Sequence, residues 1–529
     1  MHRLWSPLRL ALVLAALPPS VAWSQTSGLG SVDFPNSGAR RAQPAFLRGL
    51  ALLHSFEYDD AAEAFREAQR LDSAFALAYW GEALTYDHPL WGDQDSVAAR
   101  AVLARLGAGS GERIARGRSA RERGYLAAAE ALYGDGGIRE RHQAYERAMA
   151  RLREEHPADL EAASLHALAL LTVRARHSAD LRPSVRAAAI AEEVLRRNPN
   201  HPGATHYLIH AYDDPVLAPL GLPVARRYAR VAPRAEHALH MPSHIFVQLG
   251  LWGEVVGSNE AAWTASQAWV ARKGRPNADL DVHAASWLHY GYLQQGRYAR
   301  ALVLSDSLHA LFAEPDVDQP EHVRHYLDRV DLQNVVETRR WDPEPRGETP
   351  DGGPRLFRAA ASALRRGDRA TVAAALASYR ARMDTLRQRH GTVPPSARAF
   401  ERILGGYDAR VNGRDEEAVA ALTEAAQVED QLPIYGPPGI PPARELLGDM
   451  LLDLGRHADA ASAYDAALLR TPLRSAALLG RARAAAGGGD TEGARHWYGS
   501  LLQNWKGADE DLPELAEART GAAGGRAAR

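Results

Sequence analysis

Several residue types and motifs are scarce or missing in this chain. The 529-residue sequence contains no cysteine, which excludes disulfides, thiolate nucleophiles and cysteine-ligated zinc or iron–sulfur sites. Lysine occurs only at Lys273 and Lys506, and the formal net charge is −2. The strongly basic balance that drives nucleic-acid binding through counterion release is absent, so no nucleic-acid partner is expected.

Two motifs that mark common hydrolase sites are also missing. The sequence has no HExxH string, which is typical of zinc proteases, and no GxSxG nucleophile elbow. No stretch reaches 18 uninterrupted apolar residues, so no membrane span is expected after removal of the leader described next. The sequence does not indicate whether the protein catalyses a reaction.

The first 25 residues have the organisation of an export signal. Arg3 and Arg9 supply positive charge, and the apolar run LALVLAAL is too short to cross a membrane. Ala22 and Ser24 form a small-x-small cleavage pattern before Gln25. Residues 1–25 are therefore predicted to be a signal peptide, and the mature chain is expected in the periplasm or outside the cell. An uncleaved anchor is the alternative.

Helical repeats occupy most of the remaining chain. Small residues at regular spacing let two helices approach closely, and a large residue fills the gap between them. In the first unit Gly49 precedes Phe65, and Gly81 repeats Gly49 after 32 residues. The clearest repeat comes late in the chain and recurs 34 residues further on. It places Gly448, Leu451, Ala460, Tyr464, Ala467 and Pro472 in one unit and Ala482, Ala494 and Tyr498 in the next.

These patterns resemble the tetratricopeptide repeat (TPR) superfamily, which implies an all-α, TPR-like α-solenoid of stacked helical hairpins. The predicted N-terminal solenoid covers residues 43–341, and the predicted C-terminal repeats cover residues 355–516, because DPEPRGETPDGGP between them is rich in proline, glycine and acid. Residues 26–42 are expected to be a loose lead-in, and residues 517–529 a disordered tail.

Histidines are concentrated in one block. Six of the 21 histidines fall within residues 201–244, although this block is less than a tenth of the 529-residue chain. His206 and His210 are four residues apart, as are His240 and His244. Residues four apart share one face of a helix, so each pair can direct two imidazoles at one point. The block also resembles exported bacterial TPR proteins with HPGATHYLIHAYDDP and HMPSHIF strings, a resemblance that implies no particular activity.

The first hypothesis for this block is a metal site. Neutral imidazole is the natural ligand in a thiol-free protein and suits zinc or copper. The predicted ligands share a position in or beside the two pairs. They are His206, His210, His244, His240, His237 and Asp213. The alternative is a structural or ligand-binding cluster in which these histidines form polar contacts inside a groove.

Proline at position 242 weakens the second pair. A proline is favoured at the first position of a helix, so Pro242 predicts a helix start between His240 and His244. On this interpretation His237 and His240 precede the helix and are not placed by its periodicity. The helix that carries His206 and His210 is expected to run from Pro202 to about Tyr212.

Further side chains are predicted to line a concave groove around the block. Asp213 and its neighbour could ligate a metal, orient an imidazole, act as a general base or simply end a helix. The proline-rich segment QLPIYGPPGIPP is expected to be a rigid loop that could cover the groove. The predicted groove residues are Asp214, His201, His283, His289 and Tyr207.

Two functions therefore stay open. In the first, an exported repeat protein holds a peptide, a partner protein or a small polar ligand in a histidine-lined groove. In the second, the solenoid positions histidines around a zinc or copper ion, either as a metal-binding protein or as an enzyme. Fold alone does not decide between them, because function lies in the site.

Overall fold

The computed structural model describes residues 24–25, 27–174, 180–313, 321–341 and 353–524. These residues form an all-α, TPR-like solenoid, as predicted, with twenty-six α-helices and four strands of two residues each. The strands pair as β1 Ser24–Gln25 with β2 Ser31–Val32 and β3 Asp87–His88 with β4 Asp93–Gln94, both antiparallel. Two short 3-10 helices cover Arg40–Ala42 and Asn277–Asp279.

The α-helices follow one another with short connections. Those before residue 250 are α1 Gln43–His54, α2 Tyr58–Leu71, α3 Ala76–Leu84, α4 Ser96–Ala104, α5 Ser110–Ala115, α6 Ala120–Leu132, α7 Ile138–Glu155, α8 Leu160–Val173, α9 Arg182–Arg197, α10 Pro202–Tyr212, α11 Ala218–Val231, α12 Glu236–His240 and α13 Pro242–Gln248. Those after it are α14 Trp252–Lys273, α15 Val282–Gln294, α16 Tyr298–Leu311, α17 Glu321–Thr338, α18 Gly353–Arg366, α19 Arg369–His390, α20 Pro395–Val411, α21 Asp415–Glu429, α22 Ala443–Asp453, α23 His457–Arg470, α24 Ser475–Gly487, α25 Thr491–Asn504 and α26 Pro513–Ala522.

Small residues and aromatic rings interlock between neighbouring helices, as the repeat pattern predicts. The buried Phe65 ring of α2 lies between α1 and α3. A Cβ at Gly49 would stand 3.0 Å from this ring, and a Cβ at Gly81 would overlap it. The ring of Tyr464 fills the corresponding gap beside Gly448 in the late repeat. An aromatic ring on one helix therefore fills the space that a glycine leaves on the neighbouring helix. This close packing determines the distance between successive helices.

Apolar side chains form a large core from Leu29 to Tyr290 and a second from Leu332 to Ala484. Helix α17 contacts both α15 and α18 and so lies between the two regions. The predicted boundary near residues 342–354 falls mostly outside the described residues, and the division into two repeat blocks stays a prediction. Apart from β1, the predicted signal peptide also lies outside the described residues. None of the helices within the described ranges combines the length and apolarity needed to cross a membrane.

Two segments are more ordered than composition suggests. The expected loose lead-in buries Phe34, whose ring lies 5.4 Å from that of Phe46. The backbone N–H of Ser31 also donates to the Asn200 carbonyl. At the other end, α26 runs through residues 517–522, so the prediction of disorder from 517 onward is wrong there. Leu515 and Ala518 of this helix are buried, because its apolar face packs against α25.

Candidate metal centre

Helix α10 presents the first histidine pair. His201 caps its N-terminus by accepting the Ala204 N–H at its Nδ1 (3.0 Å), and Pro202 occupies the first helical turn. The helix ends at Tyr212, as predicted. Because four residues span about one turn, His206 and His210 meet on one face, and their Nε2 atoms lie 3.1 Å apart.

The second pair has the same geometry. Helix α13 begins at Pro242, as predicted, but the expected loss of i,i+4 geometry between His240 and His244 does not occur. Met241 joins α12 to α13 with helical dihedrals, φ −53° and ψ −36°. Its N–H donates to the His237 carbonyl at 2.9 Å, so the chain keeps winding as a helix through the junction. Proline lacks only its own N–H donor and tolerates this position. His240 and His244 therefore share a face, and their Nε2 atoms lie 3.2 Å apart.

One further histidine joins each pair. His206, His210 and His237 form the first histidine set, and His240, His244 and His283 form the second histidine set. In each set one nitrogen per ring lies within 4.8 Å of the other two. The prediction that His237 and His240 are poorly placed is thus wrong, and His283 of α15 belongs with the predicted ligands.

Hydrogen bonds behind the rings determine which nitrogen carries the proton. His206 Nδ1 lies 2.7 Å from the backbone carbonyl of His54, and a carbonyl can only accept. His240 Nδ1 lies 2.6 Å from Asn259 Oδ1. The amide of Asn259 is held in this orientation because its Nδ2 donates to the Val255 carbonyl at 2.8 Å. In the neutral rings, Nδ1 is therefore protonated and Nε2 presents a lone pair.

Asp213 plays the same part for His244. Its Oδ2 accepts from His244 Nδ1 at 2.8 Å, while its Oδ1 accepts from Gln248 Nε2 at 2.9 Å. Asp213 is a predicted metal ligand, but both of its oxygens are engaged here, so it orients an imidazole instead. A carboxylate behind a histidine is the usual support of a metal-binding imidazole.

When both rings are neutral, the second pair consequently places two unprotonated Nε2 atoms opposite each other. Neither His240 nor His244 has an Nε2 proton to donate when neutral, yet these atoms stand 3.2 Å apart. Two nitrogens bound to tetrahedral zinc at about 2.0–2.1 Å stand about 3.3–3.4 Å from each other. The observed separation is close to that of two ligands of one metal ion.

Burial favours the neutral form of five of the six imidazoles. It lowers the pKa of His206 and of His240 to about 3. It also lowers the pKa values of His210, His237 and His283 well below 6.5. His237 Nε2 is buried without a hydrogen-bond partner in the part of the chain that the structure describes. Protonation of these buried rings is therefore unfavourable. Neutral imidazole is the form that binds a metal.

Aromatic rings enclose both sets. The Phe56 ring lies 4.4 Å from that of His206, and Phe56 adopts φ 60°, an unusual backbone conformation for a bulky residue. Trp287 lies 4.5 Å from the His244 ring and 5.0 Å from the His240 ring. These rings shield part of each set from water, and a less polar environment strengthens electrostatic interactions.

The proline-rich loop between α21 and α22 lies against residues that support the second set, and its covering of a groove stays a prediction. Gln248 Nε2, which also holds Asp213, donates to the Ile434 carbonyl of this loop at 2.9 Å. Gly436 has φ 63°, and a Cβ there would overlap the Trp287 ring. Only glycine therefore lets the loop backbone approach this tryptophan so closely. A residue of the C-terminal repeats thus contacts the wall of the centre.

A third cluster of possible ligands lies behind the first set. His201 Nδ1 accepts a backbone N–H, so its Nε2–H donates to Glu161 Oε1 at 3.1 Å. His54 Nε2 lies 2.6 Å from the other carboxylate oxygen, and its Nδ1 lies 2.9 Å from the Tyr207 hydroxyl. These groups satisfy one another as a hydrogen-bonded network. His201 and Tyr207, predicted to line an open groove, instead support His54, whose carbonyl orients His206.

Two other predicted groove residues also lie outside the sets. Asp214 Oδ1 accepts the Val216 N–H at 2.9 Å, which stabilises the turn before α11. His289 is on α15 with His283, but its Nε2 lies 2.8 Å from Asn334 Oδ1. Six residues on a helix turn the side chain by about 600°, so the two histidines point in different directions.

His289 should make stability depend on pH. Burial lowers its pKa to about 4, whereas an exposed histidine has a pKa of about 6.5. As the pH falls from 7 to 4, the unfolded chain gains a proton here before the native protein does, so native stability decreases. Between pH 7 and pH 4, the free energy of unfolding of a His289→Gln variant should therefore fall by about 3 kcal/mol less than that of the parent. Urea unfolding at both pH values measures the difference, and equal losses would contradict it.

Sequence reasoning missed Phe56, Glu161 and Asn259. Each acts through a side chain far away in the sequence, such as His54 for Glu161, and no local pattern marks such a contact. His54 was visible only as an isolated histidine near the end of the first repeat helix.

No family model and no curated protein matches this chain. Among solved structures, it is similar to the human IFIT1 dimer with m7Gppp-AAAA, at 13% identity and a TM-score of 0.38, covering 89% of this chain and 91% of that one. It is similar to the APC/C hetero-tetramer Cut9-Hcn1 at 12% identity and a TM-score of 0.35, covering 92% and 77%. The P58(IPK) TPR domain has 13% identity and a TM-score of 0.21, covering 85% and 99%. Sequence identities and TM-scores this low say nothing about what this chain binds.

Proposed function

We propose that this protein is an exported, histidine-ligated metalloprotein that binds one zinc or copper ion in each histidine set. One observation carries the proposal: the Nε2 atoms of His240 and His244 face each other at 3.2 Å, while the Nδ1 atom of each ring is engaged in another hydrogen bond. In neutral rings these facing lone pairs repel, and a shared cation would bind both of them. The ligands are all imidazoles, which suit zinc and copper better than magnesium or calcium.

Burial favours an ion over a peptide as the occupant. The side chains of His206 and His240 are completely buried, and that of His244 is 13% exposed. A groove that holds a peptide has to leave its contact residues open, whereas an ion needs only the space between the rings. In this proposal the repeat scaffold positions imidazoles from α10, α12, α13 and α15. Export is proposed from the signal-like residues 1–25.

Metal analysis of the purified protein tests this function. The parent should bind two zinc or copper ions per chain after reconstitution, because each set offers three ligands. A His240→Ala/His244→Ala variant should keep only the ion of the first set, and a His206→Ala/His210→Ala variant only that of the second. His289→Gln is the matched control, because this buried histidine lies outside both sets and should leave the metal content unchanged.

Circular dichroism of each variant shows whether a loss of metal is a loss of fold. A folded parent that takes up neither zinc nor copper would refute the proposed function. Equal metal content in the parent and both double variants would also refute it, since the ions would then be held elsewhere.

A further inference from the structure

The two histidine sets adjoin each other. Ring centroids within the sets are 4.7 Å apart for His240 and His283 and 6.4 Å for His244 and His283. Between the sets, the centroids of His210 and His244 are 5.5 Å apart, and those of His237 and His240 are 5.9 Å apart. The distances between sets fall inside the range found within one set. Six imidazoles therefore form one continuous cluster.

The charge of the cluster discriminates between metals. Its members are all imidazoles, and the carboxylate of Asp213 is engaged behind His244, so neither set contains an anionic ligand. Two divalent ions would bring four positive charges into a buried site. Two copper(I) ions bring only two, and burying charge is costly. Copper also binds nitrogen ligands with the highest affinity of the common divalent metals once oxidised.

We propose that the two sets hold a pair of copper ions that together bind one molecule of dioxygen. This inference rests on the proposed function. It adds that the metal is copper, that the two ions act as a pair and that their ligand is dioxygen. Paired metal ions in proteins lie about 3.5–4 Å apart, a separation that a diatomic ligand can bridge. Three histidines would leave the fourth tetrahedral position of each ion open, as metal sites that act on a ligand require.

The binding of dioxygen needs no electrons from outside the metal centre. Each copper(I) gives one electron to dioxygen, which becomes peroxide bound between two copper(II) ions. No bond of the protein breaks, no proton is needed and no external reductant takes part. Release of dioxygen returns both electrons to the metals.

A small, mostly apolar cavity lies next to the first set. Its volume is about 30 Å³, and its walls include Leu53, Leu165 and Leu168 together with the paired side chains of Asp87 and His142. Phe56 and Tyr207 also line it, and their rings lie 4.4 Å and 5.4 Å from that of His206. A space of this size accommodates a molecule about as large as water, and apolar walls favour an uncharged one. Phe56 reaches this position with φ 60°, a conformation that costs about 1–3 kcal/mol and is found at functional sites.

The test uses the full chain loaded with copper(I) without air and freed of excess metal. Dioxygen is then added while its uptake and the electron paramagnetic resonance signal of copper(II) are recorded. We expect uptake of one dioxygen per two copper ions and no copper(II) signal, because two bridged copper(II) ions couple magnetically. Denaturation in acid should then reveal the full signal of both ions.

A His283→Ala variant removes one ligand of the second set. It should lose dioxygen uptake, and any copper(II) formed in it should give an uncoupled signal. His289→Gln on the same helix should behave as the parent, which separates loss of a ligand from damage to α15. Failure of this control to fold would be detected by circular dichroism, and Asp214→Asn then replaces it.

Three outcomes would overturn the inference. Two copper ions that oxidise to give a full copper(II) signal in the native protein would show independent sites and leave the proposed metal binding intact. Copper(I) that is bound but inert to dioxygen would refute dioxygen binding alone. A chain that binds no metal would refute both the inference and the proposed function.

Discussion

Replacing Arg474 with methionine should lower the free energy of unfolding by about 3–5 kcal/mol. The Arg474 side chain is completely buried, with Nε 2.6 Å from Glu445 Oε2 and Nη2 2.8 Å from Glu337 Oε1. The guanidinium holds the pKa of Glu445 below its usual value although burial opposes this. Without the guanidinium, Glu337 loses this counter-charge inside the protein and Glu445 keeps only its pair with Arg339 at 2.6 Å. This change is far more costly than loss of a surface pair.

The same change should weaken the metal centre. Arg474 Nη1 also donates to the Tyr290 hydroxyl at 2.6 Å, and Tyr290 is on α15 with His283. Arg474 thus ties the late repeats to the helix that supplies a ligand of the second set. We expect Arg474→Met to lower the metal affinity of that set while the first set keeps its ion.

Urea unfolding of the metal-free protein measures the stability change without the contribution of bound ions. Arg380→Met is the control, because Arg380 is well exposed and pairs with Glu401 at 2.8 Å, so its loss should cost no more than about 1 kcal/mol. A similar, small loss in both variants would show that the buried ion network does not stabilise the fold.

The repeat pattern predicted the fold because it reports local packing. Glycine and alanine at repeat spacing leave the volume that Phe65 or Tyr464 fills, and each such contact joins chain neighbours. The helix with His206 and His210 was predictable for the same reason, since its cap and its spacing lie within one short segment. Pro242 does begin a helix, as predicted, but Met241 before it keeps helical dihedrals, so His240 still meets His244.

Most of the candidate site depends on contacts that are distant in sequence. His283 and His289 have similar surroundings in the sequence, yet only His283 meets the other histidines, because the two point in different directions from α15. The partners that orient His206 and His240 are a carbonyl 152 residues away and Asn259 on the next long helix. Neither contact produces a periodic pattern in the sequence. The sequence therefore identifies the histidines but not which of them lie together in the fold.

Metal binding should stabilise the protein by about 4 kcal/mol per site when the free ion is at 1,000 times its dissociation constant. The folded chain offers ligands that are already gathered, whereas the unfolded chain does not. In the metal-free protein, His237 Nε2 is buried without a hydrogen-bond partner among the described residues, and such a group costs about 1–3 kcal/mol. A bound ion removes this cost, and the gain is already contained in the dissociation constant of the site.

Thermal and urea unfolding with and without zinc or copper(I) measure the gain. A His240→Ala/His244→Ala variant should show only the gain of the first set, about half that of the parent. Magnesium is the control ion, because it prefers oxygen ligands and should stabilise neither protein. An equal gain from magnesium, or an equal gain from zinc in parent and variant, would mean that the ion acts at the surface and not between the buried imidazoles. A gain confined to zinc or copper and halved in the variant requires the histidines themselves to bind the ion.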